Sequence, residues 1–190
     1  MSLSFANKVT ICRILAVPFF TVTILYYTPQ REFLRYAALG IFVVAVISDI
    51  VDGYIARTRK EKTKAGSILD PLADKLLLIS AFTCLYKIGG LLGNVKFRLW
   101  VVLAVISRDV ILLLGSMIIY LVHGNLNIAP TRWGKATTFF QILCIFGMLL
   151  QIGISFVLWY VAVILTFISG VGYIREGIKV LNVTPDKNRS

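Results

Sequence analysis

Residues 48–75 read SDIVDGYIARTRKEKTKAGSILDPLADK, two apolar segments that each carry a pair of aspartates, joined by a basic connection. Asp49 and Asp52 are three apart and Asp70 and Asp74 four apart. At those spacings each pair projects from one face of a helix. If the two faces meet, four carboxylates share a formal charge of about −4 and repel one another unless cations enter. A carboxylate taken out of water must be paired, metal-bound or protonated, because its desolvation is otherwise too costly. Two divalent ions would balance the charge. Oxygen-only ligands favour Mg2+ or Mn2+, and no Cys or His lies near enough in sequence to suggest zinc. A pair of such ions about 4 Å apart suits displacement at phosphorus, where it holds the attacking and leaving oxygens.

The rest of the chain is the setting for that cluster. Its 190 residues are 58% hydrophobic and 15% charged, with a mean hydropathy of +0.84. That is too apolar for a soluble domain of this size, and the apolar residues come in long runs. They predict an all-α fold, an integral membrane bundle of six transmembrane helices forming a single domain over 1–190. The expected helices cover about 9–28, 33–57, 66–87 and 97–122, a fifth ending near 154, and a sixth over 156–173. The first run has only Lys8 ahead of it and no clear small-residue cleavage site behind it, so it reads as a retained helix rather than a signal peptide.

The net charge of +11 raises nucleic acid as a partner, but the basic residues gather at the ends of the apolar runs. That placement points to the lipid bilayer and to topology, with no nucleic acid. Six spans put thirteen Lys and Arg on the side of the termini and five on the other. The bias places the aspartates and both termini in the cytoplasm. Cys12, Cys84 and Cys144 are odd in number and form no C-x-x-C pair, so they read as small buried apolar residues. His123 reads as a surface residue.

Asp49, Asp52, Gly53, Ala56, Arg57, Gly66, Asp70 and Asp74 fill every fixed position of the pattern D-x-x-D-G-x-x-A-R, eight residues, then G-x-x-x-D-x-x-x-D. In this the chain resembles the CDP-alcohol phosphatidyltransferases, integral-membrane enzymes of phospholipid synthesis. The resemblance implies transfer of the phosphatidyl group of CDP-diacylglycerol to an alcohol, with release of CMP. It implies two divalent cations, Mg2+ or Mn2+, held by Asp49, Asp52, Asp70 and Asp74, with Asp74 also taking the proton of the incoming hydroxyl. Thr63 matches a position that contacts the nucleotide lipid in relatives. The cell inner membrane and a homodimer are further expectations. The small chain, its first helix and the regions of Arg108 and Lys135 are similar to bacterial members that use glycerol 3-phosphate. Arg108-Asp109 is similar to the cardiolipin synthases of the same superfamily, which accept phosphatidylglycerol.

Several residues carry two readings. Gly53 lets a metal or phosphate approach the backbone, or else allows close helix packing. Arg57 hydrogen-bonds a diphosphate or caps a helix C-terminus. Asn7, Thr10 and Arg13 recur at helical spacing, as at the start of many family members, or are a cap followed by a snorkelling arginine. Ser67 reads as an N-cap with Pro71 in the first turn or so, and Lys75 as a counterion of Asp74. Arg108 and Asp109 lie deep in apolar sequence, about 100° apart on a helix, and need not pair with each other. An intramembrane arginine suits an acceptor phosphate or a structural ion pair with another helix. At Lys135, anion binding and a topology signal look alike. An ion-coupled transporter would also use intramembrane carboxylates, but apart from Asp109 the acids of the spans cluster at one edge, and no internal repeat is visible.

Overall fold

The computed structural model describes residues 5–59, 64–93, 96–123, 132–153 and 155–182, with side chains for 11–51, 72–93, 96–115, 117, 133–153, 155–173 and 175. The described residues form six helices and no strand: α1 (Phe5–Leu25), α2 (Glu32–Arg59), α3 (Lys64–Ile88), α4 (Leu99–His123), α5 (Arg132–Leu149) and α6 (Ser155–Asn182). The expected elements are present, but several ends move. Residues 5–8, ahead of the expected start at 9, belong to α1, because nothing in them breaks a helix. Helix α3 opens at Lys64, so Ser67 is not its N-cap and Pro71 sits in the second turn rather than the first. Proline there forgoes its own bond to the carbonyl four residues back and crowds that carbonyl with its ring. Helix α6 runs nine residues past Tyr173, through Arg175, because a helix need not stop where its apolar stretch stops.

Helix α5 ends five residues short of the expected position, in a Schellman turn. The Ile152 N–H donates to the Gly147 carbonyl at 2.9 Å and the Gln151 N–H to the Met148 carbonyl at 3.1 Å. This turn requires a left-handed residue, which here is Gln151 at φ 55° rather than the usual glycine.

Glu32–Val51 in α2 and Ser155–Tyr173 in α6 are long and apolar enough to cross a bilayer, while α1 and α5 hold shorter apolar stretches, Ile11–Leu25 and Trp133–Leu149. Phe19, Val44, Phe139, Ile164 and Phe167 are among many large apolar side chains exposed on the helices. Outward faces of this kind suit acyl chains rather than water. Hydroxyls follow the same rule by bonding back to their own helix: Thr23 donates to the Phe19 carbonyl, Thr83 to Ile79 and Thr166 to Ala162, each at 2.7 Å.

Helix α1 packs against α2 and α3, α6 packs against α4 and α5, and α3 joins the two groups by touching α4 and α5. Side-chain pairs give the directions. Arg13 meets Asp49 and, two turns on, Phe20 meets Phe42, so α1 and α2 are antiparallel. Arg108 meets Ser169 and Tyr173 meets the Leu112 carbonyl, both 61 residues apart, so α4 and α6 run parallel and in register. Their close approach depends on Gly115, where a Cβ would lie 2.8 Å from the Tyr173 ring.

The bundle has two unlike ends. At one, Phe20, Phe42 and Phe146 tie α1, α2 and α5 by ring contacts of 5.9 and 5.5 Å, and Phe82, Phe97 and Trp159 tie α3, the lead into α4 and α6 at 5.0 and 5.2 Å. Toward the other end lie Asp49, Asp74 and Asp109 and most of the buried polar side chains.

Candidate active site

Helix α1 delivers Arg13, and the preceding turns of α2 deliver Asp49. The Arg13 side chain is only 1% exposed, and its Nη1 lies 2.7 Å from Asp49 Oδ1, whose side chain is 45% exposed. The guanidinium therefore does not snorkel to the surface. It turns inward because an ion pair offsets part of the cost of burying its charge. The sequence contained a signal for this residue, the Asn7–Thr10–Arg13 helical spacing, but nothing in it identified the partner.

Asp74, on α3, is near enough to both Asp49 and Arg13 to feel their charges. Acids from two helices and a base from a third thus converge at one end of the bundle. The side chains of Asp52, Gly53, Arg57 and Asp70 lie outside the described residues, although their backbone is helical, and Thr63 lies outside them altogether. Among the described residues no three Asp, Glu, His or Cys side chains come together. The two carboxylates that are described fit a hard divalent cation: both offer only oxygen, both are partly open, and they approach from different helices.

Behind Asp74 a second polar cluster extends into the bundle. Lys75 Nζ is 3.9 Å from Asp74 Oδ2 and 3.3 Å from Asp109 Oδ1, and it donates to Thr138 Oγ1 on α5 at 3.4 Å. The expected counterion role is therefore shared, and Asp109 is the nearer partner. Arg108 donates from Nη1 to Asp109 Oδ1 at 2.7 Å and from Nη2 to Ser169 Oγ on α6 at 2.6 Å. Arg108 and Asp109, which their 100° separation left free to pair or not, do pair, because an arginine stem is long enough to curl back across that angle and burial penalises leaving either charge alone.

Asp109 is fully buried and its Oδ2 has no hydrogen-bond partner among the described residues, while Arg108 keeps a free Nε. Lys135 is exposed one helical turn before Thr138, on the side of α5 that faces Lys75. Thr137, beside it, is buried and donates to the Trp133 and Leu165 carbonyls at 2.8 and 3.1 Å, fastening α5 to α6. Gln141, two turns into the core, was not singled out from sequence. It is fully buried with neither amide atom hydrogen-bonded among the described residues.

Comparison with known proteins supplies the family. A family model described as CDP-alcohol phosphatidyltransferase matches residues 3–168, the whole of α1 to α5 and half of α6. A Mycobacterium tuberculosis protein named probable phosphatidylglycerophosphate synthase is 31% identical over 180 residues, 92% of this chain and 81% of the relative. Two proteins named CDP-diacylglycerol–glycerol-3-phosphate 3-phosphatidyltransferase are similar to it as well. The one from Bacillus subtilis is 31% identical over 94% of this chain and 97% of its own length. That from Haemophilus influenzae is 30% identical over 87% and 89%. The aspartate pattern, the helical architecture and a match of this extent lead to one conclusion: the chain belongs to the CDP-alcohol phosphatidyltransferase family, and it is an enzyme of that class.

Proposed function

We propose that this enzyme transfers the phosphatidyl group of CDP-diacylglycerol to sn-glycerol 3-phosphate, giving phosphatidylglycerophosphate and CMP. The observation that carries the reading is that Asp49 and Asp74, on separate helices, lie close enough to feel each other's charge, Asp49 beside the buried Arg13 and Asp74 beside the half-buried Lys75. The glycerol 3-phosphate acceptor is supported by the names of the relatives.

Asp49, Asp52, Asp70 and Asp74 would hold two divalent cations, Mg2+ or Mn2+, which when bound polarise the diphosphate and offset charge on the departing CMP. Arg57 hydrogen-bonds the diphosphate, Gly53 leaves room for it at the α2 backbone, and Thr63 contacts the nucleotide. Asp74 accepts the proton as the acceptor hydroxyl oxygen bonds to the phosphatidyl phosphorus and the bond to the CMP oxygen breaks. Lys135 and the unused Nε of Arg108 serve the acceptor phosphate. The six helices all cross the membrane, with the active site and both termini on the cytoplasmic face of the cell inner membrane, and the protein works as a homodimer.

The test is CMP release from CDP-diacylglycerol by purified protein in detergent. Release is expected only with Mg2+ or Mn2+ and glycerol 3-phosphate. Release with phosphatidylglycerol instead would make it a cardiolipin synthase, and release with serine or inositol phosphate would reassign the acceptor in the same way. No release with any acceptor, together with cation movement in sealed vesicles, would return the transporter reading.

A further inference from the structure

Arg13 has more donor capacity than its partner uses. A guanidinium presents five N–H groups in a rigid fork and stays charged at any physiological pH. Its charge is met by Asp49, but none of Nε, Nη1 and Nη2 makes a directed hydrogen bond among the described residues. Buried donors left without acceptors are costly, so such an arrangement calls for a further acceptor.

Unused donors alone do not mark a site, as Arg35 shows. It is also buried, with Nε and Nη1 unpartnered. Its Nη2, however, is taken by Glu32 Oε2 at 3.0 Å and by the Tyr36 hydroxyl at 3.1 Å, and its guanidinium lies 4.9 Å from the Tyr36 ring centroid. It sits at the start of α2, away from the aspartates. Arg13 differs in position: the carboxylate it touches is half open to the surroundings, and its charge reaches Asp74. A ligand that reaches the half-open Asp49 is within a few ångströms of the guanidinium, whose Nη1 lies 2.7 Å from Oδ1.

We propose that Arg13 is a substrate-binding residue that takes a phosphate oxygen of one of the two substrates on Nε and Nη2, while Nη1 stays against Asp49. The inference rests on the phosphatidyl-transfer reading above for the identity of those substrates. It adds to the site a ligand contributed by α1, which otherwise serves as packing for α2 and α3. Arginine suits the position because a fork reaches a carboxylate and a phosphate at once, whereas an ammonium group is a single point of charge.

The experiment compares the wild type with Arg13→Lys and Arg13→Gln, each checked for folding by gel filtration and thermal unfolding in detergent. Four quantities are read: Mn2+ affinity by electron paramagnetic resonance, CDP affinity by calorimetry at saturating Mn2+, and KM for CDP-diacylglycerol and for glycerol 3-phosphate. Arg13→Lys keeps a cation against Asp49 and is the variant that remains folded even if Arg13→Gln does not.

For Arg13→Lys the expectation is Mn2+ affinity within about 2-fold of wild type and a loss of roughly 10- to 100-fold in one phosphate parameter, the range for a charge-assisted hydrogen bond. Weaker CDP binding assigns the contact to the diphosphate. A raised KM for glycerol 3-phosphate alone assigns it to the acceptor. Unchanged CDP affinity with both KM values unchanged overturns the proposal. So does a fall in Mn2+ affinity that accounts for every other change, which would make Arg13 a positioning residue for Asp49. If the wild type binds CDP but releases no CMP with any acceptor, the transfer reading fails while the CDP comparison still decides the role of Arg13.

Discussion

At one end of the bundle Phe82, Phe97 and Trp159 join α3, the lead into α4 and α6 through ring contacts of 5.0 and 5.2 Å. Toward the other end Lys75, Asp109, Arg108 and Ser169 join those helices through contacts of 3.3, 2.7 and 2.6 Å. The two joints answer to different physics. Ring packing is weakly directional, and a truncated ring leaves a gap that neighbours or acyl chains partly fill. The polar joint is directional and largely buried, so removing one member strands the charge of another. The aromatic end can hold helices together with interchangeable side chains. The polar end must hold particular ones, and it stands directly behind Asp74.

The contrast can be broken experimentally, most forcefully at its functional edge. Asp74→Asn keeps the size of the side chain and removes its charge and basicity, so CMP release should fall on the order of 10³-fold while the thermal unfolding midpoint stays close to wild type. A large drop in that midpoint would show that Asp74 is structural. Asp109→Asn should act on both quantities, because Arg108 and Lys75 lose their shared carboxylate. A destabilisation of about 3–5 kcal/mol is expected in denaturant titration, with lower activity in the protein that remains folded.

Phe97→Ala, at the aromatic end, should cost about 2–3 kcal/mol, below the usual figure for a buried aromatic because lipid or detergent refills part of the space. Activity per folded molecule should be retained. Should Phe97→Ala prove more damaging than Asp109→Asn, the distinction between the two joints would be lost. The smallest change lies outside both. Gln151→Gly relieves a left-handed residue at the end of α5 and should stabilise by about 1 kcal/mol, read as a higher unfolding midpoint with unchanged turnover.

Much of this was legible beforehand. Helices are set by local composition and period, so the apolar runs located all six of them. Their ends were read less well, because termination depends on capping and turn geometry. A left-handed Gln151 leaves no trace of the kind a glycine would, and Gly66 and Ser67 put the start of α3 two to three residues too late. The aspartate spacing pointed to the family that the comparisons show, because carboxylates in apolar surroundings have few reasons to be there. The sequence shows Arg13 without its partner Asp49, shows one of the three partners of Lys75, and carries no signal for the buried Gln141. Each of those depends on which helix lies opposite.

From its residues alone this chain declared its helices, its apolar outward faces and the acidic pattern of its family, since periodicity and desolvation act within each segment. Which faces meet was decided by the tertiary structure. Antiparallel α1 and α2 bring Arg13 to Asp49, and α3 carries Lys75 to Asp109. Spacing along a helix defines a face but not its partner, and the partner is chosen by the packing of all six helices together and by the cost of leaving any buried charge alone.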